Sequence, residues 1–270
     1  MLETTTADGV QCLRMARTLL GRGRYFTAAY RVAGLMVDSG CAHALPEVLA
    51  AVPAGSVRTI VNTHSHEDHV GCNHWLQQRD GATIYAHPLA LPVLRDPRLR
   101  GPLHLYRQVM WGSPLPAAGR PVPEVLETAL GRFRVLPTPG HSPDHVVLFQ
   151  EERGWVFTGD LFVGGEDRAS RQDANGADLI ASLERVQALH PTRIYPGSGH
   201  MRTNPAAELV RKIEYLKELR EAIVRLRSAG RSVGAIRRKL FPKPMVMEAL
   251  TLADFSGGNL VRAFLKEAGA

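Results

Sequence analysis

Apolar and polar positions along the chain alternate between two periods. Val10-Gln11-Cys12-Leu13-Arg14-Met15 alternates loosely, as a strand does, although its propensities also admit a short helix. Tyr25 to Tyr30 and Val32 to Val37 flank turn-forming residues and read as a hairpin. His43 to Ala51 has helical spacing through Leu45, Val48 and Leu49. Val57 to Val61 is β-branched and reads as a buried strand, and Asn73 to Gln78 can begin a helix. Short strands are expected over Ala82 to Ala86, Arg132 to Pro137, Val146 to Phe149, Trp155 to Thr158 and Arg193 to Tyr195. Apolar residues at 179, 180, 183, 186 and 189 make a helical stripe over Ala177 to Leu189. A longer stripe runs through Leu209, Ile213, Leu216, Leu219, Ile223 and Leu226, with Asn204 placed to cap it and Pro205 at its first position. Gly230, Pro242 and Gly257-Gly258 then divide shorter helices that reach Ala268.

Residues 88–128 fit neither period. Pro88, Pro92, Pro97, Pro102, Pro114, Pro116, Pro121 and Pro123 interrupt them, with Tyr106 and Trp111 between. An irregular stretch of this length is usually functional, and it reads as a partly helical flap. Tyr106 and Trp111 either line a substrate pocket beneath it or anchor it to the body.

At 44% hydrophobic and 22% charged over 270 residues, the chain has an ordinary globular composition. It lacks an apolar run long enough to span a membrane, and its first twenty residues lack the apolar core of a secretion signal, so a cytoplasmic protein with no membrane partner is expected. Cys12, Cys41 and Cys72 are too few and too scattered for a disulfide framework, and Cys72 is expected to pack. The net charge is +7. Such a balance favours anionic partners, nucleic acid among them, but the arginines are dispersed and no stacking motif for bases is visible, so a small-molecule substrate is the stronger expectation.

The chemistry concentrates in Asn62-Thr63-His64-Ser65-His66-Glu67-Asp68-His69-Val70-Gly71. Three histidines and an aspartate lie within six residues, on a strand-to-helix turn where their side chains can converge. Imidazole and carboxylate are the donors that divalent metals select. Gly140-His141, Thr158-Gly159-Asp160 and Gly197-Ser198-Gly199-His200 each follow an expected strand, and Asp38 closes an earlier one. Strand ends are rigid, and glycine lets the backbone turn sharply to aim a side chain.

This His-x-His-x-Asp-His segment, followed in order by a histidine, an aspartate and a histidine, resembles the metallo-β-lactamase-fold hydrolases over residues 38–200. The resemblance implies an α/β fold, a four-layer αββα sandwich over residues 1–203, followed by a C-terminal helical extension over 204–270. It implies two divalent metal ions about 3.5–4 Å apart. His64, His66 and His141 would hold one and Asp68, His69 and His200 the other, with Asp160 bridging. Zinc is the default, and manganese or iron suits the same donors. Asp38 is expected to support the ligand loop, as is His145, which could instead bond substrate. His87, before Pro88, is read as structural. Two metals sharing a water lower its pKa from about 15.7 toward about 7, and Asp68 could also steer the resulting hydroxide.

Within the family, glyoxalase II-like thioesterases carry a bridging aspartate, whereas β-lactamase-like endoribonucleases have a Gly-His-x-x-Asp-His segment similar to Gly140 to His145. True β-lactamases lack an aspartate at the position of Asp160, which argues against antibiotic hydrolysis. A binuclear metallo-hydrolase of small esters or thioesters is therefore expected. A metal-dependent ribonuclease or phosphodiesterase is the alternative, and a mono-iron sulfur dioxygenase is the alternative from another class. The apolar stripe after residue 204 is expected to pack on the body and could also pair two chains as a homodimer.

Overall fold

A computed structural model describes residues 1–19, 22–23, 25–101, 103–243 and 246–266. Pro102 and the expected helix end at Ala268 lie outside them. The first sheet contains β1 (Leu2–Ala7), β2 (Val10–Met15), β5 (Thr27–Val32), β6 (Leu35–Val37), β7 (Thr59–Val61), β8 (Thr83–Ala86) and β9 (Gly119–Pro121), in that spatial order. A small ribbon of β3 (Thr18–Leu19) and β4 (Arg22–Gly23) interrupts it in sequence. The second sheet runs β10 (Val125–Thr128), β11 (Gly131–Pro137), β12 (Val146–Gln150), β13 (Trp155–Gly159), β14 (Arg193–Pro196) and β15 (Arg202–Thr203). Strands β6 to β9 are parallel, as are β13 and β14, and the other neighbours are antiparallel.

The central strands are apolar at successive positions because both of their faces are covered. Ala28, Tyr30, Val32, Leu35 and Val37 meet Val146, Leu148, Trp155 and Phe157 between the sheets. The intervening residues point outward. On the first sheet Met36 and Ile60 pack with Val48 of α1 (Leu45–Ala51) and Leu76 of α3 (Asn73–Asp80), which is separated from α1 by the short α2 (Glu67–Val70). Further along the chain, α4 (Leu91–Arg95) and α5 (Leu105–Met110) complete that side, with Leu94 and Met110 in the same cluster. On the second sheet Val147 and Val156 pack under Leu183 of α6 (Gly176–Gln187) and Leu209, Ile213 and Leu216 of α7 (Ala206–Ser228). Ile236 of α8 (Val233–Leu240) joins that cluster, α9 (Val246–Leu250) follows, and α10 (Gly257–Ala263) adds Leu260 and Val261. The layers are thus helix, sheet, sheet, helix. The stripe on α7 is covered by the body, as its period predicts. Among the described residues no helix is long and apolar enough to cross a membrane.

Local expectations are met in one place and changed in others. Val10–Met15 is a strand, because its partner β1 supplies the pairing that a helix would forgo. Strand β1 itself is unheralded: Thr4, Thr5 and Thr6 are exposed at a sheet edge and give no apolar alternation. Residues 88–128 are only partly a flap, since Gly119–Pro121 extends the first sheet and Val125–Thr128 begins the second. Asn204 does not cap α7: it sits at φ 51°, and no side chain caps that helix.

Candidate metal centre

The carboxyl ends of β7, β11, β13 and β14 face one another across the top of the inter-sheet core. Val146 donates its N–H to the Thr63 carbonyl at 2.7 Å, and the Tyr30 hydroxyl donates to the Pro196 carbonyl at 2.6 Å, so the two sheets are tied at this end. The turn after β7 carries His64, His66, Asp68 and His69, all buried. Asp38, at φ 58°, reaches beneath this turn from the end of β6. Its Oδ1 accepts from the Thr63 N–H at 2.7 Å and its Oδ2 from the Thr63 hydroxyl at 2.8 Å. The same Oδ2 lies 2.8 Å from His69 Nδ1.

Three imidazoles are each held through one nitrogen and present the other. His64 Nδ1 is 3.0 Å from the Thr63 hydroxyl, and its Nε2 faces His66 Nδ1 at 2.9 Å. His66 Nε2 is 3.0 Å from Asp173 Oδ2, while its Nδ1 lies 3.1 Å from His141 Nε2. His69, held by Asp38, directs Nε2 to Asp160 Oδ1 at 3.4 Å and Asp68 Oδ2 at 3.7 Å. Asp160 Oδ2 is 3.7 Å from His141 Nε2. Two donor groups result, His64–His66–His141 and His64–His69–Asp160, each with its ligand atoms within 4.8 Å of one another. This fixing of one ring nitrogen by an outer hydrogen bond is what orients a metal-binding histidine.

Two glycines make room for the arrangement. A Cβ on Gly197 would stand 2.2 Å from Asp160 Oδ1, and one on Gly159, at φ 47°, would stand 2.5 Å from the Thr63 hydroxyl. Only a residue without a side chain lets these strand ends approach so closely.

Burial holds His64 and His66 well below the usual imidazole pKa, and His145 down to about 3, so all three are neutral. Burial also pulls on His69, but the carboxylates of Asp160, Asp38 and Asp68 outweigh it and raise that ring well above its ordinary value. Burial raises Asp68. For Asp160 burial acts the same way, yet His69 beside it keeps the carboxyl below its usual range. Asp68 Oδ1, His69 Nε2 and His145 Nε2 are buried without a hydrogen-bond partner. Buried polar atoms left without a partner in this way, beside the neutral imidazoles of His64 and His66, mark a site that suits a divalent cation, whose binding would displace the His69 proton.

His200 stands apart. Its ring is exposed, and Nε2 lies 3.2 Å from Arg14 Nη2, outside both donor groups, although it was expected beside Asp68 and His69 in the second. A cationic guanidinium beside that nitrogen competes for the lone pair a ligand would offer. His145 lies behind the cluster, 5.1 Å from the His64 ring, with Nδ1 3.0 Å from the Thr138 hydroxyl. Tyr106 and Trp111 line a cleft of about 310 Å³ that also reaches Asp68, His141 and Asp160. The Tyr106 hydroxyl also donates to Asp254 Oδ2 at 2.6 Å, which ties this ring to the C-terminal segment.

Sequence reasoning missed the charge cluster beneath the site. Glu67, inside the ligand loop, is 1% exposed. Arg171 Nη2 lies 3.1 Å from it, with Arg107 at 3.7 Å and Arg100 at 3.9 Å. Arg171 also approaches Asp68 at 3.8 Å, and its guanidinium lies 5.7 Å from the Trp111 ring. Asp254, in the connection between α9 and α10, takes Arg107 at 2.7 Å. Asp144 accepts from the Ser65 N–H at 3.0 Å and so joins the two ligand loops. Only Asp144 had a signal, in its spacing from His141.

The sequence model of the metallo-beta-lactamase superfamily matches residues 23–200. A beta-lactamase-like protein 2 homolog of Drosophila melanogaster is 32% identical over 76% of this chain and 66% of its own length. A hydroxyacylglutathione hydrolase of Thiobacillus denitrificans is 37% identical over 51% of this chain and 45% of its own. The chain therefore spans less than two thirds of either relative. A metallo-beta-lactamase family protein from Thermus thermophilus superposes with a TM-score of 0.70 at 21% identity, covering 95% of this chain and 93% of that one, which shows the shared fold.

Proposed function

The chain belongs to the metallo-beta-lactamase superfamily, and from that premise we propose that it is a binuclear metallo-hydrolase of small esters or thioesters. The observation that carries this reading is the set of converging donor atoms beside an aromatic cleft, with Asp68 Oδ1 and His69 Nε2 buried and without a hydrogen bond. His64, His66 and His141 would hold one divalent cation, and His69, Asp160 and Asp68 a second. This nitrogen and oxygen set favours zinc and also suits manganese or iron. Such ions, when bound, supply Lewis acidity and a water that ionises near neutral pH.

The chain's own groups do the positioning. Asp38, Thr63 and Asp173 fix the imidazoles of His69, His64 and His66. Asp68 Oδ1, buried without a hydrogen bond beside the cleft and 3.8 Å from Arg171, accepts a hydrogen bond from the attacking water and orients it. Because Asp254 holds the Tyr106 hydroxyl, that ring offers substrate its face rather than its OH. The similarity to a hydroxyacylglutathione hydrolase supports a thioester. Arg100, Arg107 and Arg171, the cations nearest the site, are engaged by Glu67 and Asp254, which favours a small substrate over a chain of phosphates.

The test assays zinc-, manganese- and iron-loaded protein side by side on acyl thioesters, oxyesters and a short single-stranded RNA, at low and high salt, with metal content measured. Two metals per chain and thioester or ester cleavage are expected. Metal-dependent RNA cleavage whose log–log salt slope is about −0.7 per phosphate contacted, with thioesters untouched, would reverse the ranking. One iron per chain with oxygen uptake would replace hydrolysis by oxidation.

A further inference from the structure

A second cavity of about 150 Å³ meets the aromatic cleft at the donor atoms. Its apolar walls are formed by Leu161, Ala174, Leu179 and Leu260, the polar Asp167, Ser170 and Asn175 line it as well, and it reaches His141 and Asp160. The larger cleft reaches the same His141 and Asp160, and the two share Val163, Arg171 and Phe255. Two lobes thus diverge from one reacting centre. A carbonyl at that centre has two substituents, the acyl group and the leaving group, and each lobe can take one.

The lobes differ in what they can hold. Leu161, Ala174, Leu179, Leu260 and Ala263 are all buried and close the smaller lobe on one side, while Val163, Asp167, Ser170 and Phe255 on its other side are half-buried. The larger one is bounded by exposed Tyr25 and half-buried Phe26 and Ser198, which gives a long leaving group a route to solvent. Resting on the hydrolase reading above, we infer that the smaller lobe is an acyl pocket for an apolar group of about six carbons, closed on one side by the C-terminal helices. The size follows from the volume: a cavity of about 150 Å³ is large enough to take up benzene. Phe255, Leu260 and Ala263 belong to the C-terminal segment, so that segment sets the acyl length.

The reaction balances simply. Water adds its oxygen to the acyl carbon, the carbon–sulfur bond breaks, and sulfur leaves as the thiol with one of the water's protons. The other proton is lost to solvent, leaving the acyl group as its carboxylate.

The experiment uses the metal-loaded full chain and thioesters of N-acetylcysteamine from acetyl to decanoyl, with phenylacetyl added, following thiol release. The expected kcat/KM rises about fourfold per methylene, peaks near six carbons and falls beyond. Ala174→Leu, which fills the lobe, lowers the hexanoyl-to-acetyl ratio at least tenfold, and Leu179→Ala moves the peak to longer chains. Fluorobenzene binding, read by fluorine NMR on wild type and Ala174→Leu without metal, is the readout independent of turnover: wild type binds it and the variant does not. Turnover with a flat chain-length profile, or equal fluorobenzene binding by both proteins, overturns the acyl pocket. Selective fluorobenzene binding without any thioester or ester turnover retains the pocket and overturns the hydrolase reading instead.

Discussion

The two sheets contribute to the centre in opposite ways. The first supplies His64, His66, Asp68 and His69 from one turn, none more than 8% exposed, with Asp38 buried beneath. The second supplies one residue per strand end: His141 and Asp160, whose side chains are 22% and 24% exposed, and then His200, which faces solvent beside Arg14. The turn is held by hydrogen bonds inside one short segment and a buried carboxylate. The separate strand ends are held by the register of the sheet and by glycines that permit close approach. The first side is therefore preorganised, and the second takes its shape from the rest of the molecule.

The sharpest way to break this contrast is at His64, which belongs to both donor groups. His64→Ala is expected to remove metal and lower kcat/KM on the order of 10⁴-fold, because groups acting as a unit fail together. His66→Ala and His69→Ala should do the same with the fold intact, as measured by metal content and circular dichroism. Near-normal turnover in any of the three would end the metal-centre assignment. Asp38→Asn tests whether the first side depends on its support. A loss of about 10–100-fold in metal affinity or activity is expected from such an outer partner, and unchanged affinity would show that the turn holds itself.

Asp254→Ala removes the carboxylate that Arg107 and Tyr106 share. It should cost about 2 kcal/mol of stability by denaturant titration and loosen the cleft wall, raising KM more than it lowers kcat. An unchanged KM would detach the C-terminal helices from substrate binding. Acidity reads the burial of the first side. His64, His66 and His145 titrate below 6.5 when folded, the last near 3, so the unfolded chain binds more protons as pH falls below 6.5. Their stabilisation is complete above that value and is lost toward the folded pKa values. His69 has the opposite sign, contributing fully below 6.5 and losing its share as pH rises through its raised value. Three rings against one make the metal-free protein melt several degrees lower at pH 5 than at pH 7. A flat profile by calorimetry would contradict the burial of those rings. The smallest effect is expected at His200: His200→Ala should change metal content and turnover less than about threefold, whereas a loss comparable to that of His69→Ala would make it a ligand.

The same contrast explains what the sequence disclosed. Four donors in six residues are visible without knowing the fold, and the order of His141, Asp160 and His200 behind expected strands made them candidates. Their meeting in space depends on the register of β13 and β14 and on the loop geometry that turns His200 away, neither of which a linear pattern encodes. Glu67 stood within the motif yet had no readable partner, since Arg107 and Arg171 lie 40 and 104 residues further on. Strand β1 escaped because an exposed edge tolerates Thr4 to Thr6, whereas β12 and β13 were plain because both their faces are buried.

Asp254 and Phe255 enclose a centre whose donors end at Asp160, about ninety residues earlier. A ribosome adding roughly 5–20 residues per second exposes the whole donor set some seconds before it makes the cover. The nascent protein thus passes through an interval in which its metal nest is open on the side that the finished molecule closes.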